Sequence, residues 1–91
     1  MRALVTAHQH LSDDLIKLMV AYDTPQAHRS GQYSVVSVPD VPGKAYFSIA
    51  STADEQPQMT FLIRLGSTPL DDALKGLKVG DVVHAEPPSG R

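Results

Sequence analysis

Two short stretches of the 91-residue chain hold the side chains most able to do chemistry. In Gly66-Ser67-Thr68-Pro69 a glycine precedes two hydroxyls and a proline. Glycine lets a backbone come close to a ligand. Hydroxyls and unpaired N–H groups at the positive end of a helix hold phosphate. The same residues also make an ordinary helix cap, with Thr68 capping, Pro69 starting the helix and Asp71 balancing its dipole. Both readings are open at this level, and Asp71 and Asp72 add negative charge that any bound phosphate has to offset. In Lys44-Ala45-Tyr46-Phe47-Ser48-Ile49-Ala50-Ser51 two aromatics are followed by small residues. On a strand Tyr46 and Ser48 share one face and Phe47 and Ile49 the other. Small residues beside an aromatic can make a shelf for a flat ring; the alternative is a plain strand with Phe47 in the core. His8 and His10 share a strand face at two-residue spacing, which suits a metal pair. No patterned acid supports them, so we expect no metal and assign them to the surface or a turn.

Other chemistries lack their residues. There is no cysteine, which removes disulfides, thiol catalysis, iron–sulfur ligation and thiolate zinc sites together. The eight bases are scattered among ten acids, so a nucleic-acid groove has no electrostatic footprint. No Gly-x-Ser-x-Gly elbow, Walker A loop or Gly-x-Gly-x-x-Gly turn occurs. Asp71-Asp72 reads as a solvated helical turn rather than a catalytic acid pair. No apolar run approaches the roughly 18 residues of a membrane span, and His8-Gln9-His10 arrives too early for a secretory segment. The expectation is a soluble cytoplasmic protein that binds neither nucleic acid nor membrane.

The elements that must position these stretches are mostly strands. Seven prolines and six glycines punctuate short apolar segments, the pattern of a β barrel or sandwich. Arg2 to Ala7 reads as a first strand. Leu15 to Tyr22 is open: Ser12-Asp13-Asp14 suits a helix cap and propensity leans to helix, whereas a β context favours a strand. Gln32 to Val38, Ala45 to Ser51, Gln58 to Arg64 and Val82 to Glu86 read as strands, with turns at Pro39 to Gly43 and near Gln56-Pro57. Between the last two strands, Thr68 to Lys75 reads as a short helix with Leu70, Ala73, Leu74 and Leu77 on one face. Most connections are shorter than the dozen or so residues a parallel crossover needs. The expected architecture is all-β: a small six-stranded antiparallel, Greek-key barrel with one short capping helix. A domain this small has a modest core and stands to gain stability from a partner domain or a ligand.

Taken together, four motifs resemble the flavin-binding domain of ferredoxin–NADP reductase-type FAD/NAD(P)-binding oxidoreductases. Ser30-Gly31-Gln32-Tyr33 is similar to the family's Pro-Gly-Gln-Tyr entry, and Phe47-Ser48-Ile49-Ala50-Ser51 to its Arg-x-Tyr-Ser-Ile-Ala-Ser signature. Gly66-Ser67-Thr68 resembles its Gly-rich Ser/Thr motif, and Leu77-Lys78-Val79-Gly80-Asp81-Val82-Val83 its Leu-x-x-Gly-Asp-x-Val run. The resemblance implies a barrel carrying FAD, or FMN, on its surface. Phe47 stands where a tyrosine packs against the isoalloxazine ring, and Ser48, the expected catalytic residue, matches the serine near the reactive flavin nitrogen. Gly66, Ser67 and Thr68 match the phosphate-holding motif. Tyr46, Ile49 and Arg64 complete the expected cofactor contacts, with Ser48 and Ser67 converging on one shallow trough. Electrons would pass from NAD(P)H, bound by a second domain or a partner chain, through the flavin to an acceptor.

The chain also departs from the family. Ala45 stands in place of the signature Arg that pairs with the pyrophosphate. Lys44 is one residue off, which on a strand points it to the opposite face; Lys is also a poorer bidentate partner than Arg. Residues 1–91 would be the N-terminal part of a longer two-domain reductase, ending where the interdomain connection begins. The competing expectation is a cofactor-free barrel, an interaction or oligomerisation module that associates with itself or with a partner.

Overall fold

Long-range pairing decides the segment that local propensity left open. In the computed structural model, which describes residues 1–23, 31–50 and 58–90, Leu15–Tyr22 is a strand, β2, paired antiparallel with β1 (Arg2–Ser12). Ile16, Leu18, Val20 and Tyr22 are buried while the residues between them are only half-buried. That period of two belongs to a strand with one face on a core; the helical leaning loses to it. β1 runs five residues past its expected end because β2 offers partners along its whole length. Its register shifts between Val5 and Ala7, so that Val5 lies opposite Val20 and His8 opposite Leu18. The extra residue is a β-bulge, and it turns His8 to the same side as Val5. His8 thus sits in a strand rather than on a turn, where its Nε2 donates to the Leu74 carbonyl at 2.9 Å and its ring meets that of His10 edge-on at 5.0 Å. Among the described residues no three metal-ligating side chains cluster.

The remaining elements are β3 (Tyr33–Ser37), β4 (Ala45–Ser48), β5 (Gln58–Arg64), α1 (Pro69–Lys75) and β6 (Val82–Ala85). Over the described residues β3, β4 and β6 are each shorter than expected by one or two residues, and β5 has the expected bounds. All pairs are antiparallel and the sheet order is β4-β3-β6-β1-β2-β5. The all-β expectation holds, but the barrel does not close as a ladder. Among the described residues its two edges meet at a bridge between Ile49 and Phe61, where the Ala50 N–H donates to the Thr60 carbonyl at 2.8 Å. Ser30, Ser51, the turn near Gln56-Pro57 and Arg91 lie outside the described residues.

The interior is lined from every strand except β4, which contributes only half-buried side chains, and centres on Phe61, Ile16, Leu18, Met59 and Ile63, all 1% exposed or less. α1 stoppers one end with Leu70 and Leu74, helped by Leu77 beyond its last turn. At the other end the segment after β6 is tied down. Tyr22 Oη and Ser34 Oγ both donate to the Glu86 carbonyl, at 3.1 and 2.7 Å, and Tyr33 and Ser89 exchange backbone hydrogen bonds at 3.0 Å each. No helix among the described residues is long and apolar enough to cross a membrane.

Candidate functional site

The site is built where the sheet fails to close. β4 pairs with β3 on one side only, in the register Tyr33–Ser48, Ser34–Phe47, Val35–Tyr46 and Val36–Ala45. Directly opposed residues share a face. Tyr46 and Ser48 are therefore on the outer, exposed face with Tyr33, and Phe47 and Ala45 are half-buried on the inner face above Ser34 and Val36. This is the facing expected from the alternation. Tyr46 is 66% exposed and its ring lies 5.4 Å from that of Tyr33, tilted by 50°. The Ser48 hydroxyl makes no hydrogen bond among the described residues.

From the bridge at Ile49 and Phe61 the two edges run on without pairing, β4 back from Ser48 to Ala45 and β5 forward from Leu62 to Arg64. Their edge N–H and C=O groups are left for solvent or a guest, as at any unpaired strand edge. The seam leads about 10 Å along β4, at about 3.3 Å per residue, to a depression of about 350 Å³. One wall of the depression is Pro42, Gly43, Lys44 and Ala45, and the other is Thr68, Pro69, Leu70 and Asp71.

Of the residues singled out from sequence, Thr68 lines this depression. Phe47, Ser48 and Ile49 lie along the seam, Ile49 buried at the bridge and Ser48 exposed. Gly66 and Ser67 are exposed on the approach to α1 and do not line the depression. Arg64 is engaged elsewhere: its Nη1 lies 3.0 Å from Asp14 Oδ2 in an exposed ion pair that ties β5 to the β1–β2 turn. The Ser12 hydroxyl, with Arg64 and a backbone N–H behind it, holds the Asp14 carboxyl below its usual value.

Lys44 is exposed, whereas Ala45 is half-buried against the core. The opposite-face expectation assumed that both belong to the strand, but β4 begins at Ala45 and Lys44 sits in the loop before it. Alternation does not govern a residue that has not yet entered the pleat, and both residues line the same wall. Gly43 has φ +98°, a conformation that favours glycine, and a Cβ built on it would come 3.9 Å from that of Leu70. The loop is thereby laid against the first turn of α1. Pro42-Gly43 before a strand was the sequence signal for this turn, but nothing local said what the turn packs on.

The start of α1 is a full capping box. Thr68 Oγ1 accepts from the Asp71 N–H at 3.1 Å, and Asp71 Oδ2 accepts from the Thr68 hydroxyl at 2.8 Å and the Thr68 N–H at 3.2 Å. The Thr68 hydroxyl is the main cause holding the Asp71 carboxyl below its ordinary 3.8; slight burial opposes it, and the Thr68 and Gly66 N–H groups add to the lowering. A Cβ on Gly66 would stand 3.0 Å from Asp71 Oδ2, so glycine makes room for the carboxylate here. The capping reading of Thr68 is thus realised in full.

No family model matches the chain. It is 30% identical, over 99% of its length, to the reductase component DmpP of phenol 2-monooxygenase from Pseudomonas sp. strain CF600. It spans only 26% of that relative. In three dimensions it superposes on the Amycolatopsis cytochrome P450 reductase GcoB with a TM-score of 0.86 at 28% identity, covering 100% of this chain and 29% of that one. The ferredoxin reductase in carbazole 1,9a-dioxygenase gives 0.88 at 24% identity, over 99% of this chain and 28% of that one. A ferredoxin NADP+ reductase from Neisseria gonorrhoeae, with bound FAD and NADP, gives 0.84 at 15% identity over 100% of this chain and 38% of its own, a likeness of fold.

Proposed function

We propose that the chain binds a flavin, FAD or FMN, as one domain of an NAD(P)H-dependent electron-transfer reductase, a reading supported by its likeness to reductases in sequence and in fold. The observation that carries this reading is the unpaired seam between β4 and β5, leading from Ser48 to the depression beside Thr68. A flat ring with a phosphate-bearing tail suits a groove of that form. The donor set fits such a guest: strand-edge groups and a serine hydroxyl lie toward one end, and Lys44 is among the residues lining the other. A bound flavin supplies the redox chemistry, taking a hydride from a nicotinamide and passing electrons on.

The chain's own residues orient and screen. Phe47 and Ile49, fixed by the core, give the seam an apolar floor near its narrow end. The Ser48 hydroxyl, on the exposed face of the same strand, is the candidate to donate or hold a proton at the ring. Tyr46, braced by Tyr33, is the candidate to shield an outer face. Gly66 and Ser67 extend the tail's path past the helix start, and Arg64 contributes there only if it leaves Asp14. The nicotinamide would be presented by a second domain or a partner chain, and the 91 residues would be the N-terminal domain of a longer reductase.

The test is titration of the purified chain with FAD and FMN, followed by flavin fluorescence and visible absorbance. Saturable quenching at one flavin per chain is the expected result. A colourless chain that perturbs neither flavin would return it to the cofactor-free interaction barrel.

A further inference from the structure

We propose that His8 and His10 form a two-imidazole site for a borderline divalent transition cation such as Zn²⁺ or Cu²⁺, with His8 coordinating through Nδ1. The site is independent of the flavin reading. Two-residue spacing is weak support by itself; the tertiary contacts of His8 add the rest and reverse the expectation drawn from spacing. The bulge after Val5 sets His8 opposite Leu18 and His10 opposite Ile16, so both rings stand on the core-facing side of β1, beyond its last buried residue. Their centres are 5.0 Å apart, with the planes at 65°. Two imidazoles held on one cation by metal–nitrogen bonds of about 2.0–2.1 Å, at an angle of about 90–109°, have centres about 4.5–5.2 Å apart. The backbone therefore already holds the rings at a chelating separation.

Hydrogen bonding decides which nitrogen is available. The Leu74 carbonyl can only accept, so the 2.9 Å contact fixes a proton on His8 Nε2 and, in the neutral ring, leaves the lone pair on Nδ1. A ring N–H given to a backbone carbonyl is the usual support behind a metal-bound histidine: it fixes the tautomer and the ring plane and makes the other nitrogen a better ligand. His8 is half-buried and held in this way. His10 is exposed and makes no hydrogen bond among the described residues. Its ring turns about a soft torsion to complete the pair. The Leu74 carbonyl belongs to the last turn of α1, whose negative pole favours a cation nearby. Lys75, in the same turn but exposed, opposes it. Imidazole suits Zn²⁺, Cu²⁺ and Ni²⁺ rather than Mg²⁺ or Ca²⁺. No third metal-ligating side chain joins the pair among the described residues, so water fills the remaining positions and the cation exchanges readily.

The test is calorimetric titration of the intact chain with ZnCl₂ at about pH 7.5, where an ordinary imidazole is mostly neutral. It is repeated on His10→Gln, on His8→Gln and on a control with the other two histidines replaced, His28→Gln with His84→Gln. Wild type and control are expected to bind one Zn²⁺ per chain. Losing an outer-shell partner alone costs about 10–100-fold in metal affinity, so removing a ligand in His10→Gln or His8→Gln is expected to cost at least about tenfold. Circular dichroism verifies that each variant folds, and His10→Gln breaks no hydrogen bond of the fold. Long-range ¹H–¹⁵N NMR of the imidazoles identifies the ligating atom: Zn²⁺ is expected to shift His8 Nδ1 while Nε2 keeps its proton, and Mg²⁺ to shift neither. No saturable Zn²⁺ binding by the wild type, unchanged affinity in His10→Gln, an equal loss in the control, or Zn²⁺ on His8 Nε2 each overturns the site.

Discussion

Replacing Asp71 by Asn removes a negative charge from one wall of the depression and keeps an oxygen that can accept from the Thr68 hydroxyl and N–H. Two effects of opposite sign should follow. The helix loses a carboxylate at its positive end, worth about 0.5 kcal/mol for an exposed side chain. For a domain of this size that lowers the melting temperature by about 2–4 °C. A phosphate in the depression loses a like-charged neighbour; two unit charges about 4 Å apart in a water-like dielectric repel by about 1 kcal/mol, or about fivefold in affinity. FMN and FAD should therefore bind the variant about fivefold more tightly and riboflavin equally well. The two readouts are thermal denaturation followed by circular dichroism and flavin fluorescence titration. The stability effect also depends on pH. The Asp71 carboxyl is lowered in the folded chain, so its contribution is present above the unfolded value of 3.8 and disappears as pH falls through the folded value. The wild type should keep its advantage at neutral pH and converge with Asp71→Asn in acid below pH 3.8. An Asp71→Asn chain with an unchanged FMN-to-riboflavin affinity ratio would refute a phosphate position beside this wall. An equal melting temperature at neutral pH would refute the energetic role of the capping box.

Two further perturbations test the frame that holds the seam. Phe61→Ala removes a side chain with no solvent exposure at the point where β4 and β5 bridge; it should cost about 3–5 kcal/mol, a large part of the stability of such a domain, as measured by urea denaturation. Tyr22→Phe removes the hydroxyl that donates to the Glu86 carbonyl, while Ser34 still donates to that carbonyl, so the loss should be only about 1 kcal/mol. Burial raises the Tyr22 pKa above 10.0. The stability it contributes is complete below pH 10.0 and is lost as pH climbs through the folded value, a loss the Phe variant should not show in alkaline denaturation.

What the residues determine on their own is what short-range chemistry encodes. The period of two in Gln58–Arg64 sets β5 to the residue. Thr68, Pro69 and the acids after them set the start of α1, and Pro39 to Gly43 can only turn. The facing of Tyr46 against Phe47 follows from alternation alone. Tertiary structure decided the rest, because the deciding partners are far away in sequence. Leu15–Tyr22 has helix-forming residues and became a strand because β1 and β5 pair along both its edges. The seam exists because β4 and β5 stop pairing at Ile49 and Phe61, a fact of long-range register that neither strand carries in itself. Lys44 stays outside β4 because pairing with β3 begins one residue later, at Ala45; a strand's first residue is set by its partner. The Gly66 to Thr68 stretch was compatible with both a cap and an anion cradle. Only the folded backbone brought the Asp71 carboxylate onto Thr68.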